Sequence, residues 1–127
     1  MANVGHNSRE DEALRVLVVE DEPILREATA LYLEDCGFSV LQAGNADQAI
    51  DLLRTHEHVG AVFSDVQMPG SVNGVGLARW IAEILPNVKV LLTSGQVQPT
   101  AREWTLLAKP YALADVARRL QAMLAPV

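Results

Sequence analysis

Five short, largely continuous apolar runs punctuate this chain, and they restrict the fold more than any other feature. Arg15-Val16-Leu17-Val18-Val19 leads into Glu20-Asp21, and Phe38 to Ala43 ends at Gly44. Gly60 to Ser64 leads into Asp65, Val88 to Thr93 into Ser94-Gly95, and Thr105 to Ala108 into Lys109-Pro110. Runs of this length without polar alternation read as strands buried on both faces, the habit of a parallel sheet covered by helices. The expected fold class is therefore α/β, with a five-stranded parallel sheet. In such sheets ligands bind outside the carboxyl ends of the strands, so three carboxylates, one hydroxyl and one ammonium are expected at one edge.

The segments between the runs supply helices. Pro23 suits a first helical turn, where a missing N–H costs nothing. Behind it Leu25, Ala28, Thr29, Tyr32 and Cys36 recur at spacings of three and four, an expected inner face. Gly37 is placed to end that helix in a left-handed conformation. Asn45 can cap the next helix with Gln48 in a capping-box arrangement, and Ala46, Ala49, Ile50 and Leu53 form its inner stripe. The turn-rich loop Met68 to Gly74 precedes a helix over about 75–85 that buries Leu77, Ala78, Ile81 and Leu85. The final helix carries Leu113, Val116, Ala117, Leu120 and Leu124. Gly95 to Glu103 contains Pro99 and little apolar period, so the fourth helix is expected to be short or absent.

Composition narrows the class. With 127 residues, 50% of them hydrophobic, the chain has room for one core. Residues 1–13 show no apolar period and are expected to be a flexible tail, leaving 14–127 as the domain. No segment approaches the roughly 18–20 apolar residues that span a bilayer, and the amino terminus lacks a secretory signal, so the expectation is a cytoplasmic protein without membrane attachment. Cys36 is the single cysteine, which excludes an internal disulfide and is expected to fill a small core position. A net charge of −6 argues against a DNA-binding face. Arg118-Arg119 is expected on the solvated side of the last helix. His56 and His58 lack a third metal ligand nearby and read as solvated loop residues.

The chemistry concentrates at the strand ends. Glu20, Asp21 and Asp65 offer hard oxygen donors of the kind Mg2+ takes, without a full protein cage. Like charges so close need a cation beside them, and Lys109 is the natural one. Asp65 is the candidate nucleophile: a carboxylate can attack phosphorus when a metal neutralises the developing charge. Ser94 would hydrogen-bond a phosphoryl oxygen, Gly95 would allow close backbone approach, and Lys109 would pair with another oxygen. Thr93 and Ser94 are adjacent, and strand alternation lets only one of them face the site.

The segments Leu17-Val18-Val19-Glu20-Asp21-Glu22-Pro23, Ser64-Asp65-Val66-Gln67-Met68-Pro69, Leu92-Thr93-Ser94-Gly95 and Ala108-Lys109-Pro110, in that order, resemble the receiver domains of bacterial two-component response regulators. The resemblance covers residues 14–125. It implies a doubly wound five-stranded parallel sheet of order 2-1-3-4-5, flavodoxin-like, and phosphorylation of Asp65 by a histidine kinase or histidine phosphotransferase. It implies Mg2+ held by Glu20, Asp21, Asp65 and the Gln67 backbone carbonyl, Ser94 as the switch hydroxyl, Lys109 on the phosphoryl group, and a cis Lys109–Pro110 peptide. Such a protein would catalyse only its own phosphorylation and dephosphorylation, with Gln67 and Gln96 tuning phosphoryl lifetime. Output would be protein–protein contact or phosphorelay, with homodimerisation open.

Two departures from the family pattern stand out. Only 14 residues separate Ser94 from Lys109. Leu106 occupies the place of the family's switch aromatic; Trp104 or Tyr111 could substitute, or both could serve packing alone. A receiver excised from a hybrid histidine kinase is the nearest alternative. A flavodoxin-like cofactor-binding module is a more distant one, because Glu20-Asp21-Glu22 would repel a phosphate in its expected loop. An aspartate-nucleophile phosphatase would want a second aspartate two residues after the first, where Pro23 stands.

Overall fold

The computed structural model describes residues 15–95 and 104–125. The tail expected over 1–13, most of the segment between Gly95 and Glu103, and Gln96 lie outside the described residues. The element order is β1 (Arg15–Val19), α1 (Pro23–Asp35), β2 (Ser39–Ala43), α2 (Ala46–Thr55), β3 (Ala61–Asp65), α3 (Gly74–Ile84), β4 (Lys89–Ser94), β5 (Thr105–Ala108) and α4 (Leu113–Leu124). All five strands pair in parallel in the order β2-β1-β3-β4-β5. Ten residues connect β4 to β5, and no helix lies between them among the described residues. A parallel crossover usually takes a dozen or more residues, so this connection is short.

Alternation along the strands divides the core between the two sheet faces. Leu17, Val19, Val62 and Leu92 pack with Ala46, Ala49 and Leu53 of α2 and with Leu77, Ala78 and Ile81 of α3. Val16, Val18, Phe63, Leu91 and Leu107 pack with Leu33 of α1 and with Val116, Ala117 and Leu120 of α4. Both β1 and β3 are covered on both faces, which explains why their sequences lack polar alternation. The apolar stripes expected for α2, α3 and α4 all reach the core, with Ile50, Leu85, Leu113 and Leu124 half-buried at their margins.

Helix α1 departs from expectation. Its buried residues are Thr29, Ala30 and Leu33, whereas Ala28 and Cys36 are exposed. Cys36 is therefore not a core residue. The cause lies in how the helix stops. Gly37 adopts φ 101°, its N–H donates to Glu34 O at 3.0 Å, and Phe38 N donates to Leu33 O at 3.1 Å. This is the paired closure of a Schellman motif, in which the residue after the left-handed glycine packs back on the last turn. Phe38, 5% exposed, takes the inner position beside Leu33, and Cys36 is left on the outer side of the cap.

Asn45 caps α2 by accepting from Gln48 N at 2.8 Å. The reciprocal bond reaches one residue further back than in a capping box, with Gly44 N donating to Gln48 Oε1 at 2.7 Å. Helix α4 exposes Arg118 and Arg119, and Arg118 pairs with Asp115 one turn earlier.

Candidate functional site

The main-chain ladders run past the strand ends and fix the site's frame. Glu20 N donates to Ala43 O at 3.0 Å, Val66 N to Thr93 O at 2.9 Å, and Lys109 N to Ser94 O at 3.0 Å. Glu20, Asp65 and Lys109 are thereby held at the carboxyl ends of β1, β3 and β5. The Lys109–Pro110 peptide is cis.

Asp65 closes the central strand and is 5% exposed. One carboxylate oxygen accepts from Lys109 Nζ at 2.9 Å, and the other accepts from Gln67 N at 3.2 Å. Glu20, 7% exposed, accepts from Glu22 N at 2.9 Å. Burial above all, and then the Asp65 charge, push the Glu20 carboxyl above its ordinary range. Asp21 is exposed, and carboxylate oxygens of Glu20, Asp21 and Asp65 lie within 4.8 Å of one another. Among the described residues this is the one cluster of three potential ligands; His56 and His58 take no part in it. The buried Glu20 and Asp65 with the exposed Asp21 form an acidic cup open on one side. Such a cup fits a hard divalent cation that keeps some of its water.

The residues that steady this cup carry weaker sequence signals. Glu22 caps α1 by accepting from Ile24 N at 3.0 Å, while its own N–H orients Glu20. Arg26 Nη1 donates to Glu20 O at 2.9 Å. Ser64 Oγ donates to Asp65 O at 2.9 Å. The first turn of α3 sits against the backbone of Asp65, so a Cβ on Gly74 would lie 2.3 Å from Asp65 O and 2.8 Å from Val66 Cα. Only glycine fits there, and Gly74 N donates to Val66 O at 2.8 Å. The turn-rich loop pointed to a bend but could not reveal this close approach.

The adjacent hydroxyls divide between the sheet faces. Asp65 pairs in register with Thr93, and residues in register on parallel strands project to the same face. Thr93 therefore shares the face of Asp65 and Phe63. Ser94 stands at the end of β4 on the opposite face, and its carbonyl receives Lys109 N. Both side chains are buried. Among the described residues a Cβ on Gly95 would meet only Lys109 Cβ, at an ordinary 4.0 Å.

Of the two candidate aromatics, Trp104 is half-buried and, like Leu106, packs on the α2/α3 side of the core. Tyr111 packs on the Asp65 side, edge-on to Phe63 with ring centroids 5.7 Å apart at 84°. Burial first, and then the charges of Glu20 and Asp65, push its phenol up to about 12. The hydroxyl of Tyr111 thus lies within the electrostatic field of the acidic cup.

Comparison with known proteins agrees with this geometry. The family model for the response regulator receiver domain matches residues 16–120. The transcriptional regulatory protein AruR of Pseudomonas aeruginosa is 38% identical over 86 residues, covering 65% of this chain and 34% of AruR. The response regulator receiver protein CpdR of Brucella abortus is 29% identical over 117 residues, covering 87% of this chain and 96% of CpdR. The chain spans half or less of the first curated relatives, and as little as 9% of the sensor kinases among them. The response regulator TrrA of Thermotoga maritima, solved in complex with Mg(2+)-BeF, superposes with a TM-score of 0.78 at 22% identity, over 86% of this chain and 97% of that one. Among the described residues no helix is long and apolar enough to cross a membrane. With the parallel sheet, the acidic cup and a family match across most of its length, the chain belongs to the response regulator receiver domain family.

Proposed function

We propose that this receiver accepts a phosphoryl group on Asp65 from the phosphohistidine of a histidine kinase or histidine phosphotransferase, in a Mg2+-dependent reaction. One observation carries the reading above the rest. A buried carboxylate at the end of the central strand faces an ammonium at 2.9 Å and two further carboxylates within 4.8 Å. Such a group is poor as a surface acid and well placed as a nucleophile held in one orientation.

In the transfer an Asp65 oxygen forms a bond to phosphorus while the phosphorus–nitrogen bond of the donor breaks, and the imidazole leaves with its electron pair and takes a proton. The chain contributes position and charge. Gln67 N fixes one Asp65 oxygen and Lys109 follows the negative charge onto the phosphoryl oxygens; Ser94, the last residue of β4 and on the face opposite Asp65, would reach the phosphoryl group over the strand end. Glu20, Asp21, Asp65 and the Gln67 carbonyl would hold Mg2+, which when bound offsets the charge that gathers on the phosphoryl oxygens. The Mg(2+)-BeF complex of TrrA supports that assignment by analogy. Gln67, exposed beside Asp65, would influence the water that hydrolyses the acyl phosphate. Output through protein–protein contact or phosphorelay, in the cytoplasm and without DNA contact, completes the reading.

Incubation with acetyl phosphate and Mg2+, followed by intact mass, tests it. Wild-type protein should gain one acid-labile phosphoryl group, and omission of Mg2+ should prevent the gain. Stable labelling, or labelling at any residue other than Asp65, would refute the assignment.

A further inference from the structure

Conventional receiver coupling through residues 94 and 106 is weakened here, because position 106 is a leucine packed on the α2/α3 side. The opposite face of the sheet holds an unused hydroxyl and an aromatic ring. Thr93 is 1% exposed, and its Oγ1 is the buried side-chain polar atom that finds no hydrogen-bond partner among the described residues. It stands in register with Asp65, one strand away. Tyr111 stacks edge-on to Phe63, two residues before Asp65 on the same face, and Thr93 follows two residues after Leu91, the register partner of Phe63. Thr93 and Tyr111 are thus placed on the same face of the sheet as Asp65.

We propose that Thr93 and Tyr111 form a hydroxyl–aromatic pair that senses the state of Asp65 from the α1/α4 face, in place of a pair built on Ser94 and residue 106. The proposal rests on the phospho-acceptor reading of Asp65. A buried hydroxyl without a partner is less stable than a bonded one, so a rearrangement that supplies a partner is favoured. Phosphorylation of the Asp65 oxygen that Gln67 N holds makes it the bridging oxygen of an acyl phosphate and offers Lys109 better acceptors on the phosphoryl group. The remaining Asp65 carbonyl oxygen then loses its ammonium, and Thr93 is the buried donor on the adjacent strand. Tyr111 leads directly from Lys109-Pro110 toward α4, and its hydroxyl lies in the field of Glu20 and Asp65. A change in charge and hydrogen bonding at Asp65 and Thr93 therefore reaches Tyr111, and through it the start of α4.

The protein labelled with 3-fluorotyrosine tests the pair. Its two tyrosines, Tyr32 and Tyr111, give two fluorine resonances, and Tyr111→Phe assigns them. With Mg2+ and saturating beryllofluoride, binding being followed separately by the thermal midpoint, the Tyr111 resonance should shift in wild type. Thr93→Val should lose that shift while still binding beryllofluoride, and Thr93→Ser should restore it; a role in packing alone would not be rescued by the smaller hydroxyl residue. Binding without a Tyr111 shift in wild type, or an undiminished shift in Thr93→Val, overturns the pair. So does a Thr93→Val variant that no longer binds beryllofluoride, because Thr93 would then belong to the binding site itself. Failure of wild type to bind beryllofluoride overturns both this inference and the phospho-acceptor reading, and the thermal midpoint tells that case from the others.

Discussion

Strands β3 and β5 each deliver one half of the ion pair at the centre of the site, yet they are held in opposite ways. Every residue of β3 is buried, with β1 on one side and β4 on the other. β5 is the edge strand, four residues long, and only Leu107 among them is buried. Asp65 is accordingly clamped: Ser64 holds its carbonyl, Gln67 N holds its carboxylate, and α3 presses on its backbone through Gly74. Lys109 has a one-third exposed side chain and one described partner, Asp65. Under the proposed function, Asp65 must be positioned before the donor arrives, whereas the Lys109 ammonium must travel with the charge. The difference in anchoring between the two strands matches that division of labour.

Five substitutions would break or sharpen the contrast. Asp65→Asn should have the largest effect, abolishing acid-labile labelling while circular dichroism and thermal unfolding show a retained fold. Lys109 keeps a hydrogen-bond acceptor in that variant, and no core volume changes. Substantial labelling of the Asn variant would remove Asp65 from its assigned role.

A glycine pair probes the clamp directly. Gly74→Ala forces a Cβ into Asp65 O at 2.3 Å. It should destabilise the protein by about 1–3 kcal/mol or more in urea unfolding. Gly95→Ala, beside β5, meets only Lys109 Cβ among the described residues, at 4.0 Å. It should stay within about 0.5 kcal/mol of wild type. Equal costs at the two positions would contradict the assignment of a rigid central strand and a lightly held edge.

Thr93→Val should raise the stability of the unphosphorylated protein, by an amount on the order of 1 kcal/mol, since it removes a buried hydroxyl that has no partner among the described residues. A lower unfolding midpoint would mean that the hydroxyl is engaged in solution.

The smallest effect concerns pH. The Glu20 carboxyl in the folded protein is raised above its ordinary value of 4.5, chiefly by burial. The folded state then binds this proton more tightly than the unfolded state does. Glu20 contributes no penalty below about 4.5; stability falls as pH rises from there through the folded value and is level above it. Glu20→Gln should flatten that part of the stability–pH curve, measured by urea unfolding without divalent cation. An unchanged slope would show that Glu20 is better solvated than its buried position implies.

Much of this architecture could be read from patterns that short segments carry alone. Continuous apolar runs located all five strands, and stripes at spacings of three and four located α2, α3 and α4. The strand ends named Glu20, Asp21, Asp65 and Lys109, because a parallel sheet must bring its carboxyl ends together. The order 2-1-3-4-5 came from the resemblance to receivers and is the order observed. Helix α1 was misjudged because its apolar residues fit two overlapping stripes, one ending at Cys36 and one at Leu33. The periodicity of a helix does not say how the chain leaves it, and the left-handed turn at Gly37 decides for Leu33 and Phe38.

The sequence by itself determined the α/β class, the strand-end carboxylates and the ammonium that answers them, since burial patterns and charge are properties of individual residues. Only the tertiary structure decided that Gly74 must be glycine, that Thr93 lies on the Asp65 face with a hydroxyl unpaired among the described residues, and that Tyr111 rests on Phe63 within the field of Glu20 and Asp65. Those facts depend on register between strands and on the approach of one element to another. They are set by pairings among residues far apart in the chain, which no local pattern encodes.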